Sequence, residues 1–169
     1  MATIISDKLV RIIKNKKRLE KLLNIKITNN GREITFEGAP EEEFFATKVL
    51  DALEMGFSFS DATSIKENEL EFDVINIKEF VRRGNLEKIR GRLIGKDGRV
   101  LKALSELTKC SLEMKGNEIG IIGDSENIKP AIDAIIQIIQ GSKHANVYKG
   151  LEKRKEDPLL DLGLKEKKK

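Results

Sequence analysis

Apolar positions near the start of the chain first alternate with polar ones and then recur at helical spacing. Ile25-Lys26-Ile27 and Ile34-Thr35-Phe36 alternate, with Asn29-Asn30-Gly31 between them. Alternation puts one face of a strand into a core, and Asn-Gly supplies the turn of a hairpin. From about Glu41 to Met55 the period lengthens, with Phe44, Phe45, Val49, Ala52 and Leu53 at helical spacing. Phe36, Phe44, Phe45 and Phe72 all fall at core-like positions.

The same order returns downstream. Leu112 and Met114 precede a Lys115-Gly116-Asn117 turn, and Ile119 and Ile121 alternate after it. A helix is then predicted from a Ser125 cap to about Gln140, with Ile128, Ile132, Ile135, Ile136 and Ile139 apolar. At an offset of 85 residues, Gly31, Gly38 and Gly56 fall on Gly116, Gly123 and Gly141. Leu19, Ile34 and Phe36 fall on Leu104, Ile119 and Ile121. Helical sequence precedes each hairpin, over about Asp7–Leu23 and Leu86–Lys109, and strands at Ala2–Ile5 and Glu71–Ile77 precede those. Each copy therefore reads β-α-α-β-β-α, a three-stranded antiparallel sheet covered on one face by three helices, an α+β layer pair.

The expected units are residues 1–56 and 71–150. Residues 57–70 link them, with Ser58, Ser60 and Asp61 placed to cap a short helix. Residues 151–169 form a charged tail around Leu159–Leu164, either solubilising and flexible or ordering on a partner.

The copies differ at one stretch. Between the two predicted helices of the second copy, Gly95-Lys96-Asp97-Gly98 sets two glycines around a charged pair. Upstream of the first hairpin, register returns if the first copy lacks three residues, which sets Ile12-Ile13-Lys14-Asn15 against Ile94-Gly95-Lys96-Asp97. The first copy has no glycine there and offers Lys14, Lys16, Lys17 and Arg18 instead. Glycines let a backbone turn tightly and approach another backbone closely, and a helix start presents free N–H groups to phosphate. A GXXG loop between two helices points to single-stranded RNA. Gly95 and Gly98 would admit the RNA backbone, while Lys96 and Arg99 face phosphates and Arg90, Arg92 and Lys102 steer the strand. Leu93, Ile94, Leu112 and Met114 would line an apolar groove for bases, and Asp97 is expected to cap the second helix.

Charge sharpens this picture. Residues 1–80 carry 12 basic and 15 acidic side chains, a net of −3, against 20 and 13 in residues 81–169, a net of +7. Residues 82–102 alone hold eight basic and two acidic side chains, the footprint of a polyanion partner. A nucleotide-binding P-loop does not fit: Gly91 and Gly95 enclose three residues, and Asp97 stands where a hydroxyl would bind magnesium. With no Trp and one Tyr, an aromatic stacking platform is disfavoured. The single Cys110 excludes an internal disulfide and a cysteine zinc cluster, and reads as core. His144, just past a helix end, reads as a capping or surface residue. No enzyme chemistry and no cofactor or metal are expected, and the absence of a long apolar run or leader pattern points to the cytoplasm.

Three stretches carry a further resemblance: Met55-Gly56-Phe57-Ser58, Ile89–Leu104, and Gly141–Lys149 (GSKHANVYK). With them the chain resembles the archaeal Dim-two, or partner-of-Nob, family of small-subunit ribosome assembly factors, which carry tandem type I KH domains. The resemblance implies binding of single-stranded rRNA near the 16S 3′ end during pre-rRNA maturation. It implies as partners the Nob-type endonuclease, the rRNA dimethyltransferase and the alpha subunit of translation initiation factor two. It places the intact loop at Gly95, Lys96, Asp97 and Gly98, and leaves the first repeat as a scaffold or docking half.

Overall fold

The computed structural model describes residues 1–81 and 84–156. The charged-tail residues 157–169, and Arg82 and Arg83 of the basic stretch, lie outside the described residues. Each half opens on a strand, β1 (Ala2–Ile5) and β4 (Glu71–Asn76). Two short helices follow, α1 (Leu9–Lys14) and α2 (Lys16–Leu23) in the first half, α5 (Leu86–Ile94) and α6 (Arg99–Thr108) in the second. Hairpins β2 (Lys26–Asn30)–β3 (Glu33–Glu37) and β5 (Ser111–Lys115)–β6 (Glu118–Gly123) come next. Long helices α3 (Pro40–Met55) and α7 (Ser125–Ile139) close the pattern. Shorter helices α4 (Phe59–Glu67) and α8 (His144–Glu156) follow them.

The sheet orders are β1-β3-β2 and β4-β6-β5, antiparallel throughout. Their registers match: Ile27 pairs Phe36 as Leu112 pairs Ile121, and Ile4 pairs Ile34 as Ile75 pairs Ile119. Each sheet buries one face under its helices. Ile34 and Phe36 are fully buried in the first core, and Ile119 and Ile121 in the second.

Several expectations change in detail. The cap position of α7 is Asp124, with Ser125 the first helical residue. Pro130 sits inside α7 and leaves the Glu126 carbonyl without its amide donor; the Arg154 guanidinium donates to that carbonyl at 2.7 Å. That contact comes from α8, which extends through 151–156, residues expected to belong to the tail, and buries Leu151. Phe44 is 56% exposed rather than core, its ring edge-on to Phe45 and beneath the Lys48 ammonium.

Residues 57–70 are a packed joint. Ser58 accepts from the Asp61 amide and starts α4, while Phe57, Ala62 and Ile65 are buried. The helix-free face of the second sheet rests on this joint. Ile122 packs into the first core, Phe72 meets Phe57 edge-to-face, and a Cβ on Gly120 would lie 2.7 Å from the Phe57 ring. In the first sheet the corresponding residues Thr35 and Glu37 are polar and face solvent, so stacking stops after one junction.

Glu54 pins the junction from its edge. Its carboxylate accepts from Lys115 Nζ on β5 at 3.0 Å, from the Asp7 and Lys8 amides at 2.9 and 3.3 Å, and from the Ser6 hydroxyl. Burial opposes its ionisation, but these donors outweigh burial and pull its pKa down to about 2 from an ordinary 4.5. A carboxylate with a depressed pKa stabilises the fold above its unfolded value and loses that contribution as pH falls. Stability is therefore expected to drop by about 2–3 kcal/mol between pH 4.5 and pH 2 on account of this one group. Acid titration of the Glu54→Gln variant, followed by circular dichroism, should show a lower plateau and a shallower fall over that window.

Candidate nucleic-acid interface

The loop begins where α5 is forced to stop. Asn85 caps the start of α5, its Oδ1 accepting from the Glu87 and Lys88 amides at 3.0 and 3.3 Å. Gly95 ends it: its N–H reaches the Gly91 carbonyl at 2.8 Å, but its backbone stands at φ 75°, ψ 176°. A Cβ at Gly95 would lie 2.9 Å from the Val100 backbone nitrogen, so both conformation and space require glycine. Asp97 (φ 56°, ψ 28°) and Gly98 (φ 76°, ψ 13°) are left-handed in succession, and α6 starts at once. The turn closes through Gly98 N–H to the Gly95 carbonyl and Arg99 N–H to the Lys96 carbonyl. No backbone hydrogen bond engages the Lys96 or Asp97 N–H among the described residues.

Two amides are thus unengaged at the start of α6, as in an arrangement that can hold an anion. Lys96, Arg99 and Lys102 are exposed around them, and none forms an ion pair within the described residues. The space over Gly98 is open, so another backbone can come close there. Ile94 is 37% exposed on the loop side. Leu112 and Met114 lie half-buried on edge strand β5, opposite Ile121 and Ile119 and on the helix-bearing face. Apolar side chains thus lie at the end of α5 and on the edge strand beside α6.

Three expected site residues do other work. Leu93 is fully buried and belongs to the core, because on a helix it points away from its neighbour Ile94. The Arg92 guanidinium does not face the groove; it donates to the Ile138 and Ser142 carbonyls at 2.9 and 2.6 Å, binding α5 to the end of α7. Asp97 makes no cap on α6, whose cap residue is Gly98 without a side-chain bond. Aspartate tolerates the left-handed backbone better than most residues, and that accounts for its place between the glycines. Arg90 is half-buried on α5, one turn before the loop.

The first half shows what the loop replaces. Arg11 donates to the Leu53 and Phe57 carbonyls at 3.5 and 2.7 Å, as Arg92 does to Ile138 and Ser142. Arg11 therefore corresponds to Arg92, buried Ile12 to Leu93, and exposed Ile13 to Ile94. The first half is shorter by four residues, not three: Leu19 follows Ile12 by seven positions, and Leu104 follows Leu93 by eleven. Asn15 alone joins α1 to α2. The paired arginines were not legible as a clamp, because their acceptors are main-chain carbonyls some 46 residues away.

Comparison with known proteins fits this geometry. The model of the eukaryotic type KH domain (KH-domain type I), in the form of the second such domain of PNO1, matches residues 71–156, just over half of the chain. The chain belongs to the type I KH family. It is homologous to the PNO1/Dim2 ribosome assembly factors, as its three resembling stretches led one to expect. A KH domain-containing protein of Methanocaldococcus jannaschii is 27% identical over 148 residues, covering 83% of this chain and 65% of that protein. RNA-binding protein pno1 of Dictyostelium discoideum is 34% identical over 107 residues, 61% of this chain and 44% of that one. The chain thus spans two thirds or less of the length of these curated relatives. Among solved structures, Dim2p of Pyrococcus horikoshii OT3 is 27% identical with a TM-score of 0.82, covering 90% of this chain and 98% of its own. A chain of the a/eIF2alpha–aDim2p–rRNA complex from the same organism is 28% identical with a TM-score of 0.83, covering 92% and 94%. Among the described residues of this KH protein, no helix is long and apolar enough to cross a membrane.

Proposed function

We propose that this chain is a non-catalytic, cytoplasmic RNA-binding factor of small-subunit ribosome assembly. Its second half, from residue 71, clamps about four nucleotides of single-stranded rRNA near the 16S 3′ end. Gly95 and Gly98 admit the sugar-phosphate backbone, and the Lys96 and Asp97 amides hold phosphate. Lys96, Arg99 and Lys102 add charge, with Arg90 nearer the core. Ile94, Leu112 and Met114 receive bases. Residues 1–56 form another KH domain, without a working loop, and 57–70 fasten it to the loop-bearing one.

The observation that carries this reading is the loop itself, with two unengaged amides and unpaired cations in the half that keeps the glycines. One Asn replaces it in the other half. The likeness to a Dim2p chain solved with rRNA and a/eIF2alpha supports both rRNA and the initiation factor's alpha subunit as partners. A Nob-type endonuclease and the rRNA dimethyltransferase complete the partners this reading expects. A second reading, a scaffold for the translation initiation machinery with RNA secondary, draws on the same complex.

Crosslinking the full chain to cellular RNA and mapping the sites on both molecules separates the two. Crosslinks in residues 90–102 and 112–114, joined to the 3′ end of 16S rRNA, are expected. Crosslinks scattered over unrelated RNAs, or absent from the loop, would favour the scaffold reading.

A further inference from the structure

We propose that His144 is the positioning residue of the phosphate loop: its imidazole occupies the Arg92 carbonyl, holds α5 open at Gly95, and so leaves the Lys96 amide free for phosphate. The inference rests on the RNA-binding reading above and adds to it a residue outside the loop.

A helix that continued past Ile94 would bond the Lys96 N–H to the carbonyl four residues back, which is that of Arg92. In this chain His144 Nε2 lies 2.8 Å from that carbonyl oxygen. A carbonyl only accepts, so Nε2 carries the hydrogen and donates. The carbonyl at the end of α5 is thereby satisfied from outside, and the Lys96 amide has nothing to fold back onto. His144 is well placed to do this steadily. It is the first residue of α8, and Val147 and Leu151 on that helix are buried in the second core.

The first half is an internal control. The Arg11 carbonyl, in the position of Arg92, accepts from Asn15 Nδ2 at 2.9 Å. Asn15 is four residues on and is the residue that stands in for the loop. At an offset of 85 the place of His144 is taken by Phe59, which has no donor and lies beneath the Arg18 guanidinium. Where the loop is missing, the chain caps this carbonyl locally. Where the loop is present, its own residues cannot cap the carbonyl without turning inward, and the cap comes from α8. The arginine clamp is common to both halves, so it fastens helices whether or not a loop is present. The histidine contact occurs in the half with the loop.

The test uses the full chain and a single-stranded RNA oligonucleotide with the 16S rRNA 3′-end sequence. His144→Phe keeps a ring and removes the donor; His144→Gln keeps an N–H that reaches a carbonyl. His144→Phe is expected to weaken binding about tenfold and lower the slope of log affinity against log salt by about one, with Tm little changed. His144→Gln should recover most of both. Wild-type affinity in His144→Phe would overturn the proposal, as would equal losses in both variants with a lowered Tm, which mark a packing role. If the wild-type chain did not bind the oligonucleotide, the RNA reading itself would fall. Hydrogen exchange in the free protein would then still decide the role of His144. Slower exchange of the Lys96 amide in His144→Phe supports it, and unchanged exchange overturns it.

Discussion

Lys96→Asp is expected to weaken binding to a single-stranded 16S 3′-end oligonucleotide at least about a hundredfold while leaving the fold intact. The side chain is exposed and has no ion pair among the described residues, so its replacement costs the folded state little. Its effect on the ligand is large because two changes act together. A cation facing phosphate is lost, and a second carboxylate joins Asp97 between the glycines. Each is worth on the order of 1.5 kcal/mol or more at a site where charge-assisted hydrogen bonds form, and about 3 kcal/mol is two decades in affinity. Fluorescence anisotropy across a salt series checks both parts. The variant should bind weakly at every salt concentration, and the milder Lys96→Ala should reduce the log–log slope by about one.

The largest effect on stability is expected from a residue that touches no RNA. Gly120→Val should destabilise the chain by about 2–3 kcal/mol, lowering Tm by roughly 4–12 °C. The added Cβ alone would stand 2.7 Å from the Phe57 ring and 3.3 Å from Met55 Cε, at the contact between the halves. Neither neighbour has room to retreat, since Phe57 is 1% and Met55 7% exposed. Thr35 is the matched control. It lies at the same point of the first sheet, at an offset of 85, but faces solvent. Thr35→Val should change stability by no more than about 0.5 kcal/mol. Differential scanning calorimetry of the two variants would show whether the junction, rather than strand propensity, sets the cost. Equal effects would mean that the halves are held by something other than this contact.

What was legible in the chain was local. The hairpins follow from alternation around Asn-Gly and Lys-Gly-Asn, and both β-α-α-β-β-α orders lie where the periodicity puts them. The loop was legible because glycine spacing and cation density coincide there. What was not legible depends on direction or distance. Leu93 and Ile94 are adjacent and equally apolar, and only the helix axis sends one into the core and the other outward. Arg92 and Lys96 are both cations near the loop, yet Arg92 is drawn to carbonyls at the end of α7, 46 residues away. Phe44 is apolar and lies among the helical positions, but at about 100° per residue it stands roughly 140° and 180° round α3 from the buried Val49 and Leu53 and so faces outward. The first half lacks four residues where the sequence leads one to expect three, because Ile12 can be set against Leu93 or Ile94 equally well until the arginine clamp fixes the pairing. Asp97 owes its place to its backbone rather than to a helix cap: a left-handed φ of 56°, beside Gly98.

In the proposed function one half grips RNA and the other supports it. The direct measurement is the affinity of the full chain for the 16S 3′-end oligonucleotide after reversing charge in the first half at Lys14, Lys17 and Arg18, set beside Lys96→Asp at one salt concentration near 0.15 M. A loss of no more than about tenfold is expected, from long-range electrostatics alone, against two decades or more for the single change in the loop. A loss in the first-half variant equal to that of Lys96→Asp would contradict it, and would make both halves grips on the RNA.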